Sequence, residues 1–170
     1  MRGNANFALV KYYLNIGTNL GDREENIRLA IAKLAALSPH PLKTSTTVES
    51  EPWGFESQNA FLNVGVLLIS DSEPHEMLAR LQAIERELGS KSHRTATGDY
   101  ADRLIDIDIM AIDNLEIHTP TLTVPHPHLH HRPFFLTPYQ ELLNSYFIIR
   151  NSYSKSRIFE TSRFRETSGS

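Results

Sequence analysis

The chain has no cysteine in its 170 residues. That absence excludes disulfides, thiolate metal sites and a cysteine nucleophile, and it suits a reducing compartment. No apolar run reaches the roughly 18 residues that a membrane-spanning helix needs, and Met1 to Val10 holds Arg2 without the apolar stretch of a signal peptide. A soluble, cytoplasmic protein with no membrane partner is the expectation. Neither sign of charge dominates. Against 20 acidic residues stand 17 basic ones, a net charge of -3, so there is no bulk attraction to nucleic acid, and phosphate can be met only by a local cluster of cations. Neither G-x-x-x-x-G-K-[ST] nor G-x-G-x-x-G occurs, so any nucleotide is held without those phosphate loops.

What is present suits one globular domain. A hydrophobic content of 40% over this length fills a single core and leaves too little for a second. We place the domain at residues 11–143 and a partly disordered tail at 144–170, because Thr161 to Ser170 has no apolar face.

Periodicity sets the element order. Lys11 to Ile16 carries β-type residues and enters the polar turn Gly17 to Asp22, whose two glycines are open to positive φ. From Ile27 to Leu37 the apolar residues recur at helical spacing, with Asp22 as the N-cap. Thr44 to Ser50 and the nearly unbroken apolar run Phe61 to Ile69 read as two strands joined by a long loop. Asp71-Ser72-Glu73-Pro74 then starts a second helix through Met77, Leu81, Ile84 and Leu88, which Gly89 closes. Ser90 to Asp102 lacks any period and has the length of a lid. Leu104 to Ile112 is a strand, and the Pro- and His-rich stretch Thr119 to Phe135 reads as an extended connection, hardly helical. The order βαββαβ predicts an α+β, ferredoxin-like sandwich: a mainly antiparallel sheet with two helices packed on one face.

The chemistry centres on two carboxylates. Asp106 and Asp108 alternate on the last strand, which puts both on one face about 7 Å apart at ~3.4 Å rise per residue. A lone Asp-x-Asp is most often a solvated strand face. Here, however, Ile105, Ile107 and Ile109 line the opposite face, while Met110 and Ile112 continue the face of the carboxylates. A strand buried on both sides cannot leave two anions unpaired, and hard oxygen ligands select Mg²⁺ bridging to substrate phosphates. Arg103 stands three residues upstream, and Lys91 and Arg94 lie on the preceding loop, as cations for phosphate oxygens. A charged loop is usually only solvated, so position favours Arg103 over the other two. His126, His128, His130 and His131 invite a transition-metal reading, but no Cys or acidic residue is near enough in sequence to complete a tetrahedral set. His126 as a phosphate donor beside Arg132 fits better, with the other three as surface histidines. Trp53 with Gly54, Asn63 and Phe134 offers the π faces and amide that a flat heteroaromatic ring would use, although each alone is more often core.

With these residues in place, the chain resembles the 6-hydroxymethyl-7,8-dihydropterin pyrophosphokinases across about Tyr13 to Leu143. The likeness rests on Ile16-Gly17-Thr18-Asn19-Leu20-Gly21, Phe61-Leu62-Asn63, Asp102 to Ile109, and Thr123-Val124-Pro125-His126, in that order. It implies transfer of the β,γ-pyrophosphoryl group of ATP to the pterin hydroxymethyl oxygen in folate biosynthesis, with AMP released and two Mg²⁺ ions held by Asp106 and Asp108. By the same resemblance Arg103, His126 and Arg132 contact the triphosphate, and Gln82, Glu85, Ile109 and Thr123 line the nucleotide pocket. Ser50, Trp53, Gly54, Asn63 and Phe134 match the pterin pocket. The sequence departs from the family in having Ser90 where an Arg usually follows the helix-ending glycine, so Lys91 or Arg94 takes that part. It also departs in Tyr100-Ala101-Asp102 before Arg103, and in the segment after Leu143. A monomer acting on small molecules is expected. Two other readings stay open at this point: a metal-dependent phosphohydrolase using the same carboxylates, and an RRM-like RNA-binding module, whose acidic last strand would be out of place.

Overall fold

The computed structural model describes residues 8–53, 56–89 and 104–145. Strand β1 (Val10–Thr18) leads to helix α1 (Arg23–Ala35), then come β2 (Lys43–Ser50), β3 (Phe61–Ser70), α2 (Pro74–Glu87) and β4 (Asp106–Ile112). A short hairpin of β5 (Ile117–His118) and β6 (Thr123–Val124) follows, and a third helix, α3, covers residues 133–145. The four long strands form one antiparallel sheet in the order β2-β3-β1-β4. This is the expected ferredoxin-like α+β arrangement.

The helix starts follow local chemistry. Asp22 Oδ1 accepts from the Glu25 N–H at 3.0 Å, and Glu24 and Glu25 put negative charge in the first turn of α1, where the helix dipole favours it. Glu73 accepts from the N–H groups of His75 and Glu76, and Pro74 sits in the first turn, where its missing N–H costs nothing. Gly89, at φ 93°, ends α2 in a conformation that a side chain would strain.

Both faces of the sheet are covered. Tyr12, Leu14 and Ile16 of β1, Val64, Val66 and Leu68 of β3, and Ile107 and Ile109 of β4 pack with Ile27, Ala30 and Leu34 of α1 and Met77, Leu81 and Ile84 of α2. On the other face Tyr13, Leu67, Met110 and Ala111 meet Leu129, Phe135 and Leu142, the last two from α3. The third helix corrects the sequence reading, which made Thr119 to Phe135 extended and placed helices on one face only. Residues 127–131 form turns and α3 begins at 133, running across the expected boundary at 143 to 145. Pro133 is compatible with a first helical turn, and Phe135, Tyr139 and Leu142 recur at helical spacing toward the sheet.

Close approach of α3 depends on Gly65. A Cβ there would come within 2.8 Å of Pro138 Cβ and 3.0 Å of Leu142 Cδ1. Glu141 ties the helix to β2 by accepting from Thr46 N at 2.9 Å and from Thr46 Oγ1 at 2.8 Å.

Two local features differ from the sequence reading. Tyr13 pairs with Ala111 and Leu14 with Ile109, so Met110 is an extra residue in β4. Such a bulge turns the strand, and Ile112 falls in the core with Ile109 instead of on the carboxylate face. Gly17 belongs to β1 and not to the turn, and of the turn's two glycines only Gly21 has positive φ, at 65°.

Candidate active site

Three strands change character toward the same end of the α3 face. Along β1 the residues facing α3 run Tyr13, Asn15, Gly17; along antiparallel β3 they run Leu67, Gly65, Asn63; along β4 they run Met110, Asp108, Asp106. At one end these positions build the core beneath α3. At the other they set buried amides and half-buried carboxylates at the floor of a cleft. Its walls are Ser50 and Glu51 at the end of β2, Trp53 beyond it, Phe61, and Arg132, Phe134 and Phe135 at the start of α3.

The cleft gathers seven residues singled out from the sequence: Ser50, Trp53, Asn63, Asp106, Asp108, Arg132 and Phe134. Asp106 stands opposite Gly17 and Asp108 opposite Asn15 in the β1–β4 ladder. Both carboxylates are half-buried between the buried Ile105, Ile107 and Ile109. Asn63 is 2% exposed, and its Nδ2 donates to Ser50 Oγ at 2.9 Å and to Val48 O at 3.3 Å. The Arg132 guanidinium carbon lies 4.2 Å from the centre of the Trp53 ring, 5.1 Å from that of Phe135 and 5.8 Å from that of Phe134. Stacked on aromatic faces at that range, a cation is held by the ring quadrupoles. Arg132 Nε is buried without a hydrogen-bond partner, which leaves it a donor for an anion entering the cleft.

A second cleft adjoins the first. It is lined by Leu78 of α2, Ile107 to Ile109 of β4, Pro120 to Thr123 around the hairpin, and His126 and Pro127. It thus brings together Ile109, Thr123 and His126, and Asp108 lies on the lining of both clefts. The His126 backbone N–H donates to Met110 O at 2.8 Å, and its Nδ1 accepts from His128 N at 3.1 Å. An accepting Nδ1 puts the ring proton on Nε2. Burial, helped by the charges of Arg132 and His128 and opposed by Asp106, lowers the His126 pKa to about 4, so the ring is neutral near pH 7.

Gln82 and Glu85 line neither cleft. Gln82 is exposed on α2. Glu85 is 4% exposed and accepts from Ile107 N at 2.6 Å. β4 is an edge strand, so the N–H of Ile107 has no strand to pair with on its outer side. Glu85 fills that role and fixes the backbone between Asp106 and Asp108. Gly54, Lys91, Arg94, Arg103 and the segment Ser90 to Asp102 lie outside the described residues. Among the described residues no three His, Cys, Asp or Glu side chains converge as a metal site. The rings of His126 and His128 lie 5.9 Å apart and those of His128 and His131 6.4 Å.

The sequence reading gave no site role to Asn15, Gly17, Glu51, Phe61 or Phe135, although Gly17 and Phe61 stand in motifs that carry the family resemblance. For Asn15 a signal existed. Asn is disfavoured within strands, and Asn15 interrupts an otherwise apolar and aromatic run.

Comparison with known proteins now bears on this geometry. A family model described as 7,8-dihydro-6-hydroxymethylpterin-pyrophosphokinase matches residues 13–144. The chain belongs to that family. It is similar to the 2-amino-4-hydroxy-6-hydroxymethyldihydropteridine pyrophosphokinase of Porphyromonas gingivalis, at 40% identity over 131 residues, covering 76% of this chain and 88% of that protein. The Bacillus subtilis protein of the same name is 38% identical over 133 residues, covering 76% of each chain. That of Aquifex aeolicus is 39% identical over 130 residues, covering 76% of this chain and 78% of its own. As a pyrophosphokinase, the chain has two substrates to hold, and two adjoining clefts that share Asp108.

Proposed function

We propose that this pyrophosphokinase transfers the β,γ-pyrophosphoryl group of ATP to the hydroxymethyl oxygen of 6-hydroxymethyl-7,8-dihydropterin, a step of folate biosynthesis, where its two clefts meet. The observation that carries the reading is Asp108 on the lining of both clefts, with Asp106 beside it. The cleft with Trp53, Asn63 and Phe134 suits a flat ring rich in donors and acceptors. The cleft with Ile109, Thr123 and His126 takes the nucleotide. The hydroxymethyl oxygen bonds to the β-phosphorus, the bond from that phosphorus to the α,β-bridging oxygen breaks, AMP departs with the bridging oxygen, and the hydroxyl proton passes to solvent.

Asp106 and Asp108 fit a hard divalent cation. They offer only oxygen donors, and phosphate and water oxygens would supply the remaining ligands, as Mg²⁺ prefers. Two Mg²⁺ ions held there with the triphosphate supply charge neutralisation at the transferring group. Glu85 fixes the backbone that spaces the two carboxylates. His126 presents a neutral Nε2–H donor, and Arg132 a cation, to phosphate oxygens. Arg103, with Lys91 or Arg94, adds positive charge from the segment before β4, and Gln82 and Gly54 keep their assignments to nucleotide and pterin from sequence likeness.

RNA binding on an open sheet, as in RRM domains, is disfavoured because α3 packs on the face that such a domain leaves open. To test the reading, the protein is incubated with ATP, Mg²⁺ and the reduced hydroxymethylpterin. Pterin-dependent AMP is expected. No AMP with the pterin, or inorganic phosphate released equally without it, refutes the transfer and in the second case assigns a phosphohydrolase.

A further inference from the structure

One polar atom on the cleft floor is left unsatisfied. Asn15 is 2% exposed, and its Oδ1 is buried with no hydrogen-bond partner. The orientation of this amide follows from its neighbours. Asn63 Nδ2 donates to Ser50 Oγ and Val48 O on the β2 side, so Asn63 Oδ1 faces β1, where it accepts from Asn15 Nδ2 at 3.4 Å. Turning the Asn15 amide over would set two carbonyl oxygens against each other. With Nδ2 toward Asn63 on β3, Oδ1 is the branch turned away from β3, and on the other side of β1 the residue directly across the ladder from Asn15 is Asp108.

A buried carbonyl oxygen without a partner carries its desolvation penalty uncompensated. Its cross-strand neighbour is a carboxylate, with Cβ atoms typically about 5 Å apart in such a pair. A cation, or a hydrogen on a water that the cation carries, reconciles two adjacent acceptors. On the reading above, in which Asp106 and Asp108 hold the divalent cation, we infer that Asn15 Oδ1 is the third oxygen of that metal face and accepts a hydrogen bond from a cation-bound water. Mg²⁺ gives up its waters reluctantly, so a neutral acceptor one step out suits it. Through Nδ2 the same amide holds Asn63, so one side chain joins the metal face to the floor of the ring cleft.

The test is a titration of the full chain with Mn²⁺ in the presence of a non-transferable ATP analogue, followed by electron paramagnetic resonance. Outer-shell partners commonly change metal affinity by about 10–100-fold. Asn15→Ala is expected to weaken Mn²⁺ binding by about 10-fold, and Asn15→Asp, nearly isosteric, to tighten it. Should Asn15→Ala fail to fold, Asn15→Asp carries the test alone. Unchanged Mn²⁺ affinity in the Asn15 variants, while Asp108→Ala still weakens it, overturns this inference and leaves the metal reading standing. Unchanged affinity in Asp108→Ala overturns the metal reading itself. Loss of affinity for the reduced pterin alone, with Mn²⁺ binding intact in Asn15→Ala, assigns the amide to the ring and also overturns the inference.

Discussion

The face of the sheet under α1 and α2 and the face under α3 come from the same strands, yet only one of them changes character along its length. Under α1 and α2, β1 presents Tyr12, Leu14 and Ile16, and β3 presents Val64, Val66 and Leu68, all within one core cluster. Under α3 the apolar positions stop at Tyr13, Leu67 and Met110, and the next two on each strand are Asn15 and Gly17, Gly65 and Asn63, Asp108 and Asp106. The first face is a complete core. The second is a core that opens into a site. Because alternate residues on a strand point to opposite faces, one set of strands serves both purposes, and the packed face holds the floor of the cleft in register.

The largest expected effect breaks the polar end alone. Asp108→Asn should lower kcat by about 10²–10³-fold, as losing one preorganised electrostatic group does, with little change in melting temperature; near-normal turnover would remove Asp108 from the site. The converse is Leu81→Ala on α2, fully buried under the other face. It should cost about 2–5 kcal/mol in denaturant unfolding while the folded fraction keeps its activity, so a stable but inactive variant would contradict the division. Gly65→Ala probes the hinge between core and site on β3. The added Cβ meets Pro138 and Leu142, and overpacking of that kind costs about 1–3 kcal/mol; a neutral melt would show that α3 shifts freely. The smallest effect is a pH dependence. Burial holds folded His126 near pKa 4, below its ordinary 6.5. The stabilisation is therefore fully present above pH 6.5 and is lost as pH falls toward 4, where the unfolded chain takes up the proton first. Partial exposure screens the effect. His126→Gln should flatten the stability profile across that window, and an unchanged slope would place the proton uptake elsewhere.

Much of this was legible in the sequence, for identifiable reasons. The caps at Asp22 and Glu73 to Pro74, the helical spacing of Met77, Leu81 and Ile84, and the alternation of Ile105, Ile107 and Ile109 around Asp106 and Asp108 are local signals that the tertiary structure left intact. The α3 helix was not legible because its prolines suggested extended chain. Pro133 occupies the first helical turn, and Pro138 packs where Gly65 lacks a side chain, a contact that only the fold creates. The bulge at Met110 was hidden for the same reason: register belongs to a pair of strands and not to either one. Of the candidate site, residues with distinctive chemistry such as Asp106, Asp108, Trp53 and Arg132 stood out. Asn15 carried only the weak signal of an amide within a strand, because the unsatisfied oxygen and the cross-strand carboxylate that give it importance exist only in the fold. Glu85 stood out only by likeness to the family, and its bond to Ile107 N supplies the physical reason.

Where the two substrates and the cations sit is decided by a crystal structure of the enzyme with Mg²⁺, a non-transferable ATP analogue and the reduced hydroxymethylpterin. The pterin ring is expected between Trp53 and Phe134 above Asn63, the nucleotide beside Ile109, Thr123 and His126, and the cations at Asp106 and Asp108 where the two clefts meet. A pterin bound outside the cleft under α3, or cations with no contact to either carboxylate, would contradict this placement.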